Sequence, residues 1–358
     1  MKAVVLVGGE GTRLRPLTLS VPKQMLPIVD VAMIERVLGQ LSRHEISDAV
    51  LSLGYLPGAF VDAYPGGEIS GIQVSYAVEP EPLDTAGAIR FAAAHAKIEE
   101  TFVVVNGDVL TDMDISRLVA FHRERQAEGT ISLHPVADPS SFGVVPTDSS
   151  GRVLAFVEKP QRDDAPTNQI NGGTYVLEPE FLDRVPVGRR VSIERETFPS
   201  MVADGRLFAL CDESYWLDTG TAVAYLQANL DIVAGKRGLP PCPGSRQLTA
   251  GVWVTGSPNL QSPISGPSFV GDGAVVEAGA NVARSVLGAG CVVESAATVV
   301  DSVLLSGCRV ARNATVAGSI LGTNSVIGER CEVLPVSVLG MGTIVPSGTV
   351  VDGERIPA

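Results

Sequence analysis

The stretch AVVLVGGEGTRLRPLT, residues 3–18, sets the start of the fold. Its apolar run, Ala3–Val7, predicts a buried β-strand, so the glycines that follow fall where a strand passes into a loop. Glycine lets the main chain approach a polyphosphate closely, and Arg13 together with Lys23 of the following PKQMLP adds positive charge. We therefore expect an anion-binding loop at the carboxyl end of the first strand.

This loop differs from two common nucleotide-binding motifs. It lacks the GK[ST] of a Walker loop, and its glycine spacing does not fit GxGxxG. Glycines between a strand and a helix also occur in α/β proteins that bind no phosphate, so a GGxG match alone carries little weight. The longer string, with its basic residues, is what favours a phosphate ligand.

Composition limits the classes of function. The chain has 358 residues, of which 45% are hydrophobic, enough for a large core and two domains. Its 27 basic and 40 acidic side chains give a net charge of -13, which argues against general binding to nucleic acid or to anionic membranes. No secretory signal or membrane-spanning run is visible, and the five cysteines form no CxxC pair or zinc spacing. We expect a cytoplasmic protein with reduced, mostly buried thiols.

Strand-like and helix-like segments alternate through the first half of the chain. Apolar residues at helical spacing predict a helix from Ile34 to Leu41, and short uncharged runs predict strands. This alternation predicts an α/β fold with a doubly wound, largely parallel, Rossmann-like sheet, in which ligands bind beyond the carboxyl ends of the strands. The expected strands are 49–53, 74–78 and 102–105, and the expected helices are 85–96 and 115–126.

An aspartate follows the strand expected at 102–105. The rule for such sheets places Asp108 at the same edge as the loop from Gly8 to Arg13. A carboxylate there repels a phosphate unless a divalent cation lies between them, and Mg²⁺ favours one or two carboxylates plus phosphate oxygens. Asp218, in WLDTGT, offers the second carboxylate. An aspartate after a strand is also a common turn residue, so Asp108 alone does not establish a metal site.

The complete string GGxGTRLxPLT, followed by PK, resembles the signature of the sugar-nucleotide pyrophosphorylases, which couple a sugar 1-phosphate to a nucleoside triphosphate. The resemblance implies that Arg13 and Lys23 hold the triphosphate and that Asp108 and Asp218 bind Mg²⁺. It also implies a catalytic set of charged residues and a cradle for the nucleotide. The catalytic set is Arg13, Lys23, Asp108, Lys159 and Asp218, and the cradle comprises Leu6, Gly8, Gly9, Gly11 and Thr12.

The segment EPEPLDTAGAI, residues 79–89, resembles the EPLGTAG segment of that family. Asp84 stands where the family usually has glycine. It can cap the helix expected to begin at Thr85, because aspartate is a favoured N-cap, or it can face the nucleotide and alter which base or sugar is accepted. The resemblance implies contacts with the nucleobase and ribose from four residues, Leu83, Thr85, Ala86 and Gly87.

Two further segments resemble sugar-binding parts of the family. In FVEKP, strand alternation predicts that Glu158 and Lys159 point to opposite sides of the sheet. The resemblance assigns Glu158 to sugar hydroxyls and Lys159 to the phosphate of the sugar 1-phosphate, whereas a solvated Glu–Lys pair is the alternative. In INGGTYVL, Asn171 and Gly172 match a sugar-contacting turn, where an amide can donate to and accept from hydroxyls.

The stretch SIERETFPSMVADGRLFAL, residues 192–210, most resembles the mannose-1-phosphate guanylyltransferase branch of the family. The resemblance covers the first two thirds of the chain and implies transfer of GMP from GTP to mannose 1-phosphate, with release of pyrophosphate. Val31 and Ala32 replace a Lys-Pro pair of that branch, so another nucleotide, or another hexose or cyclitol 1-phosphate, stays open. The alternative of another class is a non-catalytic sugar-nucleotide-sensing subunit, which would be expected to lack some of these charged residues.

The sequence changes in texture after a Pro/Gly-rich linker, residues 236–250. Four related tetrapeptides follow at separations of 17, 17 and 18 residues, beginning at Ser285, Ser302, Ser319 and Ser337. This period is close to three six-residue steps and predicts a hexapeptide-repeat, left-handed parallel β-helix over residues 251–358, after a nucleotidyltransferase domain over residues 1–235. Stacked coils have open ends, which favours a homo-oligomer. An acyltransferase site is disfavoured, because all four histidines precede the repeats.

Overall fold

The structure, a computed structural model, describes residues 1–357. The chain forms two compact units, each built from two stretches of sequence. The first unit comprises Met1–Gly9 and Ile34–Trp216, and the second comprises Glu10–Met33 and the chain from Leu217 onwards. The domain limits expected at residues 235 and 251 stay a prediction. No helix within residues 1–357 is long and apolar enough to cross a membrane.

Strands are interspersed with helices up to residue 233. The strands are β1 (Lys2–Leu6), β2 (Pro27–Ile28), β3 (Val31–Ala32), β4 (Asp48–Leu53), β5 (Glu68–Ile69), β6 (Ile72–Val78), β7 (Phe102–Asn106), β8 (Val109–Thr111), β9 (Gly129–Pro135), β10 (Gly143–Val144), β11 (Val157–Glu158), β12 (Gln169–Leu177), β13 (Leu207–Cys211) and β14 (Trp216–Asp218). The helices are α1 (Met33–Arg43), α2 (Gly58–Ala63), α3 (Asp84–His95), α4 (Ile115–Arg125), α5 (Phe198–Ala203) and α6 (Ala222–Val233).

The first unit is built on a ten-stranded sheet. Its main strand order is β11-β10-β12-β7-β1-β4-β6-β5, and β9 pairs with both β12 and β13 beside this path. Strands β7, β1, β4 and β6 run parallel, which confirms the prediction of an α/β, Rossmann-like domain. Strand β12 is antiparallel to β7 and β9, so the sheet is mixed rather than largely parallel. The physical reason is that β9 and β12 are joined without the crossover helix that a parallel pair requires.

Burial explains why these segments fold where they do. The predicted stripe on α1 is buried along its length, from Ile34 to Leu41. Strands β1 and β7 carry uncharged, almost fully buried runs, as expected for parallel strands that are covered on both faces. Helix α3 is rich in alanine, which lets it pack closely against β1 and β4.

The second unit contains the parallel β-helix that the repeats predict. Its first sheet is β15 (Arg246–Thr249), β16 (Val252–Val254), β19 (Ser268–Val270), β22 (Val286–Leu287), β25 (Val303–Leu304), β28 (Ile320–Leu321), β31 (Val338–Leu339) and β34 (Arg355–Ile356). The second is β17 (Asn259–Leu260), β20 (Val275–Val276), β23 (Val292–Val293), β26 (Arg309–Val310), β29 (Val326–Ile327) and β32 (Ile344–Val345). The third is β18 (Ile264–Ser265), β21 (Asn281–Ala283), β24 (Thr298–Val300), β27 (Thr315–Ala317), β30 (Glu332–Val333) and β33 (Val350–Val351).

The repeated residues hold the coils together in two ways, by hydrogen bonds of serines and by burial of cysteines and leucines. The serines link neighbouring coils, because the amide of Ser302 donates to Ser285 Oγ and the amide of Ser319 donates to Ser302 Oγ, each at 3.2 Å. Three cysteines are free thiols buried in the same core, Cys291, Cys308 and Cys331, as expected for reduced cysteines. The repeated leucines lie in register in the first sheet and are buried, namely Leu287, Leu304, Leu321 and Leu339.

Candidate active site

The carboxyl ends of β1 and β7 bring two predicted parts of the site to one edge of the first unit. The strands are parallel neighbours, with Leu6 in register with Asn106, and the amide of Gly107 donates to Leu6 O at 2.9 Å. Gly8 and the half-buried Asp108 therefore leave the sheet side by side. This is the relation that the rule for parallel sheets predicts.

The sugar-contacting turn expected at Asn171 reaches the same edge, because β12 runs antiparallel to β7. Asn171 Nδ2 donates to Tyr175 Oη at 2.9 Å, and its Oδ1 accepts from the amide of Gly173 at 3.0 Å. Gly173 has φ +74°, and a Cβ there would lie 2.7 Å from Asn106 Nδ2. The structure thus has a bulge inside β12 where a turn was expected, because the pairing of β12 with β9 shifts register between Asn171 and Tyr175. This bulge needs glycine at position 173, and two hydrogen bonds hold the Asn171 side chain.

Trp216 supports this bulge, a role that the sequence did not reveal. Its indole Nε1 donates to Gly172 O at 2.9 Å. The ring stacks on His134, with ring centroids 5.4 Å apart, and meets Phe142 edge-on. The tryptophan of the WLDTG segment was the available signal, since the N–H of a buried tryptophan usually finds a hydrogen-bond partner.

Negative charge collects around the buried hydroxyl of Tyr175. Burial is the main cause that raises the pKa of Tyr175, and the carboxylates of Glu194, Glu158 and Asp108 raise it further, while the hydrogen bond from Asn171 lowers it. The phenol therefore stays protonated. Three carboxylates therefore lie close enough to this hydroxyl to affect it, and the role of Asp108 as a metal ligand stays a prediction.

Glu158 and Lys159 do not point to opposite sides, so this prediction is wrong. Lys159 Nζ lies 3.4 Å from Glu158 Oε1. The reason is local: β11 ends at Glu158 and Lys159 has φ +48°, which turns its side chain out of the strand pattern. The Lys159 side chain is 60% exposed, and exposed ion pairs contribute only about 0–1 kcal/mol, so Lys159 can exchange this carboxylate for a phosphate at little cost.

The start of α3 is tied to the segment that follows Arg189. The amides of Ala86 and Gly87 both donate to Val191 O, at 2.9 and 3.2 Å. Thr85 Oγ1 donates to Glu194 Oε2 at 2.8 Å. A Cβ at Gly87 would lie 2.7 Å from Arg189 O, so only glycine allows this close approach. These contacts hold residues 189–194 against the start of α3. The expected contacts of four residues with a nucleobase stay a prediction, namely those of Leu83, Thr85, Ala86 and Gly87.

Asp84 occupies a left-handed backbone position, with φ +60°. Glycine adopts this conformation without cost, and aspartate is one of the few other residues that tolerate it. The helix begins at Asp84 rather than at Thr85, and its carboxylate accepts from the next amide, that of Thr85, at 2.9 Å instead of capping a later one. Its other oxygen lies 3.6 Å from Arg190 Nε. The backbone thus explains why glycine is usual at this position.

Glu79 is a candidate site residue that the sequence reasoning did not single out. Its Oε1 accepts from Ser52 Oγ at 2.9 Å, and its Oε2 accepts from the amide of Leu83 at 3.1 Å. A Cβ at Gly8 would lie 3.4 Å from Glu79 Oε1. A half-buried carboxylate therefore stands beside the first glycine of the loop. The signal was its position directly after β6, at the head of the EPEPLDTAG segment.

In the second unit, the PK pair folds back on the glycine loop. Gly11 has φ +63°, and a Cβ there would lie 3.1 Å from both Lys23 Cβ and Thr18 Cγ2. Gly11 O accepts from the amide of Leu14 at 2.9 Å and from Thr18 Oγ1 at 2.8 Å. These bonds form one 3-10 turn over Thr12–Leu14 and bring Lys23 beside Gly11, as a shared phosphate site would require.

Arg13 and Asp218 converge on Gly220. A Cβ at Gly220 would lie 2.6 Å from Arg13 Nη2 and 2.9 Å from Asp218 Oδ1. The amide of Gly220 donates to Asp218 Oδ1 at 2.8 Å, which fixes the carboxylate. The second unit thus places the predicted phosphate-binding guanidinium beside the predicted metal-binding carboxylate. A guanidinium can bind a phosphate that is also contacted by a cation on a neighbouring carboxylate.

Comparison with known protein families covers nearly the whole chain. Residues 2–235 match the model described as nucleotidyl transferase. Residues 264–358 match the model described as GMPPB C-terminal domain. The first match extends beyond the last strand of the ten-stranded sheet, which ends at Cys211, and the second begins within the β-helix, at β18.

Individual relatives agree with these matches. The chain is 41% identical over 280 residues to the mannose-1-phosphate guanylyltransferase of Mycobacterium tuberculosis, which covers 78% of this chain and 72% of that protein. It is 31% identical over 320 residues to the UTP--glucose-1-phosphate uridylyltransferase of Synechocystis, which covers 80% and 82%. The crystal structure of HddC from Yersinia pseudotuberculosis complexed with GMP-PN is 27% identical, with a TM-score of 0.55 over 64% of this chain and 97% of that chain.

The backbone at Asp84 generates a prediction about stability. We expect the free energy of unfolding to be about 1 kcal/mol higher for Asp84→Gly than for Asp84→Ala. Both variants lose the carboxylate contacts, but alanine retains the energetic cost of φ +60°. Urea denaturation followed by circular dichroism measures the difference. Glycine and alanine variants at Asp62, in α2, are the control. There the order should be reversed, because glycine inside a helix lowers the free energy of unfolding by about 1 kcal/mol relative to alanine. An alanine variant at Asp84 that equals or exceeds the glycine variant would contradict this account.

Proposed function

Because the chain belongs to the nucleotidyl transferase family, we propose that it transfers GMP from GTP to mannose 1-phosphate, giving the nucleotide sugar and pyrophosphate. The observation that carries the proposal is the convergence of Arg13 and Asp218 at Gly220. A non-catalytic sensor of sugar nucleotides would have no need to keep a phosphate-binding cation beside a metal-binding carboxylate. An acyltransferase of the β-helix is not proposed, because all four histidines precede the repeats.

The proposed reaction needs no side-chain nucleophile. An oxygen of the mannose 1-phosphate attacks the α-phosphorus of GTP, and the bond from that phosphorus to the bridging oxygen of the β-phosphate breaks in line. Catalysis then consists of positioning and of offsetting negative charge. In this scheme Arg13 stabilises the leaving pyrophosphate, Lys23 holds the triphosphate, and Lys159 holds the incoming phosphate.

The remaining predicted residues bind the two substrates. The sugar hydroxyls are assigned to Glu158, Asn171 and the main chain of Gly172, and the Asn171 amide keeps hydrogen-bonding capacity beyond its two internal bonds. The triphosphate is assigned to the main chain around the loop, at Leu6, Gly8, Gly9, Gly11 and Thr12, and the nucleoside to Leu83, Thr85, Ala86 and Gly87.

The donor set fits Mg²⁺. Asp108 and Asp218 are half-buried carboxylates, the ligand type that this ion prefers. Within residues 1–357 no group of three or more His, Cys, Asp or Glu side chains could enclose a metal ion. An ion with so few protein ligands keeps positions for phosphate oxygens and water. When bound, Mg²⁺ supplies positive charge that offsets the charge of the phosphates.

Glu79 supports guanine as the base. Guanine presents two adjacent N–H donors on its pairing edge, and a carboxylate can accept both. The Glu79 carboxylate is oriented by Ser52 and by the amide of Leu83, and it lies beside Gly8 of the loop assigned to the nucleotide. Adenine has an acceptor where guanine has its ring N–H, so the same carboxylate would disfavour ATP.

Location and assembly complete the proposal. We propose a cytoplasmic location, where GTP is available as the substrate. The last coils of the β-helix expose Ile344 and Val350, at 72% and 56%, and a second copy of this chain would cover them in a homo-oligomer. Neither nucleic acid nor membrane is a proposed partner.

A grid of substrates tests the reaction. We expect pyrophosphate release, measured by a coupled enzyme assay, to be fastest with GTP and mannose 1-phosphate when GTP, UTP, ATP and dTTP are crossed with several hexose and cyclitol 1-phosphates. Omission of Mg²⁺ should abolish release. Exchange of radiolabelled pyrophosphate into the nucleotide gives an independent measure. Absence of release and exchange with every pair would contradict an enzymatic function and would favour the non-catalytic sensor of sugar nucleotides.

Substitution of the converging pair tests the mechanism. We expect Arg13→Ala and Asp218→Asn each to lower kcat about a hundred- to a thousandfold, because a charge contact made in the transition state contributes about 3–4 kcal/mol. Circular dichroism and melting temperature should stay close to those of the wild type. Asp62→Asn, an exposed carboxylate on α2, is the matched control and should keep full turnover. Near-normal kcat in either site variant would remove that residue from the scheme.

Substitution of Glu79 tests the choice of base. We expect Glu79→Gln to raise KM for GTP about tenfold or more, because the amide replaces one acceptor with a donor that faces a guanine N–H. The ratio of kcat/KM for GTP to that for ATP should fall by a similar factor, while KM for mannose 1-phosphate changes little. An unchanged ratio would show that Glu79 does not face the base.

A further inference from the structure

The β-helix touches one functional stretch of sequence at several points. We call residues Glu10–Met33, which belong to the second unit, the signature segment. Arg355, in the last strand of the β-helix, donates from Nη1 to Arg13 O at 2.8 Å and to Arg15 O at 3.2 Å. Farther along the segment, Ser20 Oγ lies 3.4 Å from Met341 Sδ. The β-helix therefore contacts the segment at the turn that carries Arg13 and again beyond it.

The far end of the signature segment is held as well. Asp30 accepts from the amide of Ala289, and a Cβ at Gly271 would lie 2.8 Å from Asp30 Oδ2. Helix α6, which packs on β19 and β22, adds the buried Asn229, whose Oδ1 accepts from the amide of Val29 at 2.9 Å. The β-helix and α6 thus hold the far end of the segment, and Arg355 contacts the turn at Arg13.

Arg13 is consequently held at both of its ends. Its carbonyl accepts from Arg355, and its guanidinium lies against Gly220 beside Asp218. The amide of the same peptide group, that of Leu14, donates to Gly11 O, so the peptide plane is fixed from both sides. A rotation of this plane would move the Arg13 side chain away from Gly220. Arg355 thus contacts the peptide group next to the side chain assigned to the leaving pyrophosphate.

We propose that Arg355 of the last β-helix coil is a positioning residue that aligns the Thr12–Leu14 turn, so that Arg13 engages the triphosphate. The proposal rests on the proposed function and extends it by giving the β-helix a part in nucleotide binding besides any role in assembly. An exposed guanidinium bonded to two neutral carbonyls contributes little to global stability. A misplacement of about 1 Å in a catalytic group, in contrast, can lower the rate about a hundredfold.

Three full-length variants test this role. Arg355→Ala removes both hydrogen bonds, and Arg355→Lys keeps a shorter cation that can restore part of them. Arg330→Ala is the matched control, an exposed arginine of the same β-helix whose ion pair is with its neighbour Glu329. We expect Arg355→Ala to lower kcat/KM for GTP about ten- to a hundredfold with KM for mannose 1-phosphate within about twofold of wild type. Arg355→Lys should be intermediate, and Arg330→Ala should match wild type.

A second measurement needs no catalysis. Hydrogen exchange in the absence of substrates reports how readily the hydrogen bonds of the Leu14 and Leu17 amides open. The amide of Leu14 donates to Gly11 O within the turn, and the amide of Leu17 donates to Leu14 O directly after it. We expect exchange at these amides to speed up about tenfold or more in Arg355→Ala, while the amides of the β-helix core are unchanged. This result would support the positioning role even if the substrate grid yields no turnover, so failure of the proposed function and failure of this inference are distinguishable.

Three outcomes would contradict a positioning role of Arg355. Exchange at Leu14 and Leu17 that matches wild type in Arg355→Ala would show that the turn does not depend on Arg355. A rise in KM for mannose 1-phosphate as large as that for GTP, together with a lowered melting temperature and faster exchange through the β-helix core, would show a purely structural role. Wild-type kcat/KM for GTP in Arg355→Ala would remove any part in nucleotide binding.

Discussion

The proposed site depends on a local concentration of positive charge in a chain whose net charge is negative. With a net charge of -13, the protein as a whole repels polyphosphates, so a few cations must be held where the main chain leaves room for an anion. Arg13 meets this requirement beside Gly220, where any side chain would displace it. Asp218, fixed by the Gly220 amide, provides the complementary place for a metal ion. One glycine thus sets the spacing of the two charged groups on which the proposed chemistry depends.

The two units contribute different kinds of order. The parallel strands β7 and β1 bring Asp108 and Gly8 to one edge, and the antiparallel entry of β12 adds the bulge at Asn171. The β-helix, a stiff stack of coils, offers fixed points to which a loop can be tied, and Arg355 uses one of them to hold Arg13 O. A loop that must be open to substrate gains its order from a neighbouring scaffold, because glycines alone leave it flexible.

Particular residues show where reasoning from the sequence reached its limit. Strand alternation failed at Lys159 because a single residue with φ +48° ended the pattern, and no periodic signal marks such a residue. Asp84 was recognised as unusual, yet only its φ of +60° explains why glycine is normal there. Glu79 escaped attention because its importance lies in its proximity to Gly8, some seventy positions earlier, which no local pattern records.

The sequence by itself determined the strand and glycine loop, the helix of Ile34 to Leu41 and the stack of coils, because each of these follows from local propensity or from a repeating period. Only the tertiary structure decided that Arg13 and Asp218 meet at Gly220 and that Arg355 bonds to Arg13 O across 342 positions. Contacts between distant residues depend on how whole elements pack, and packing is a property of the three-dimensional arrangement of many side chains at once.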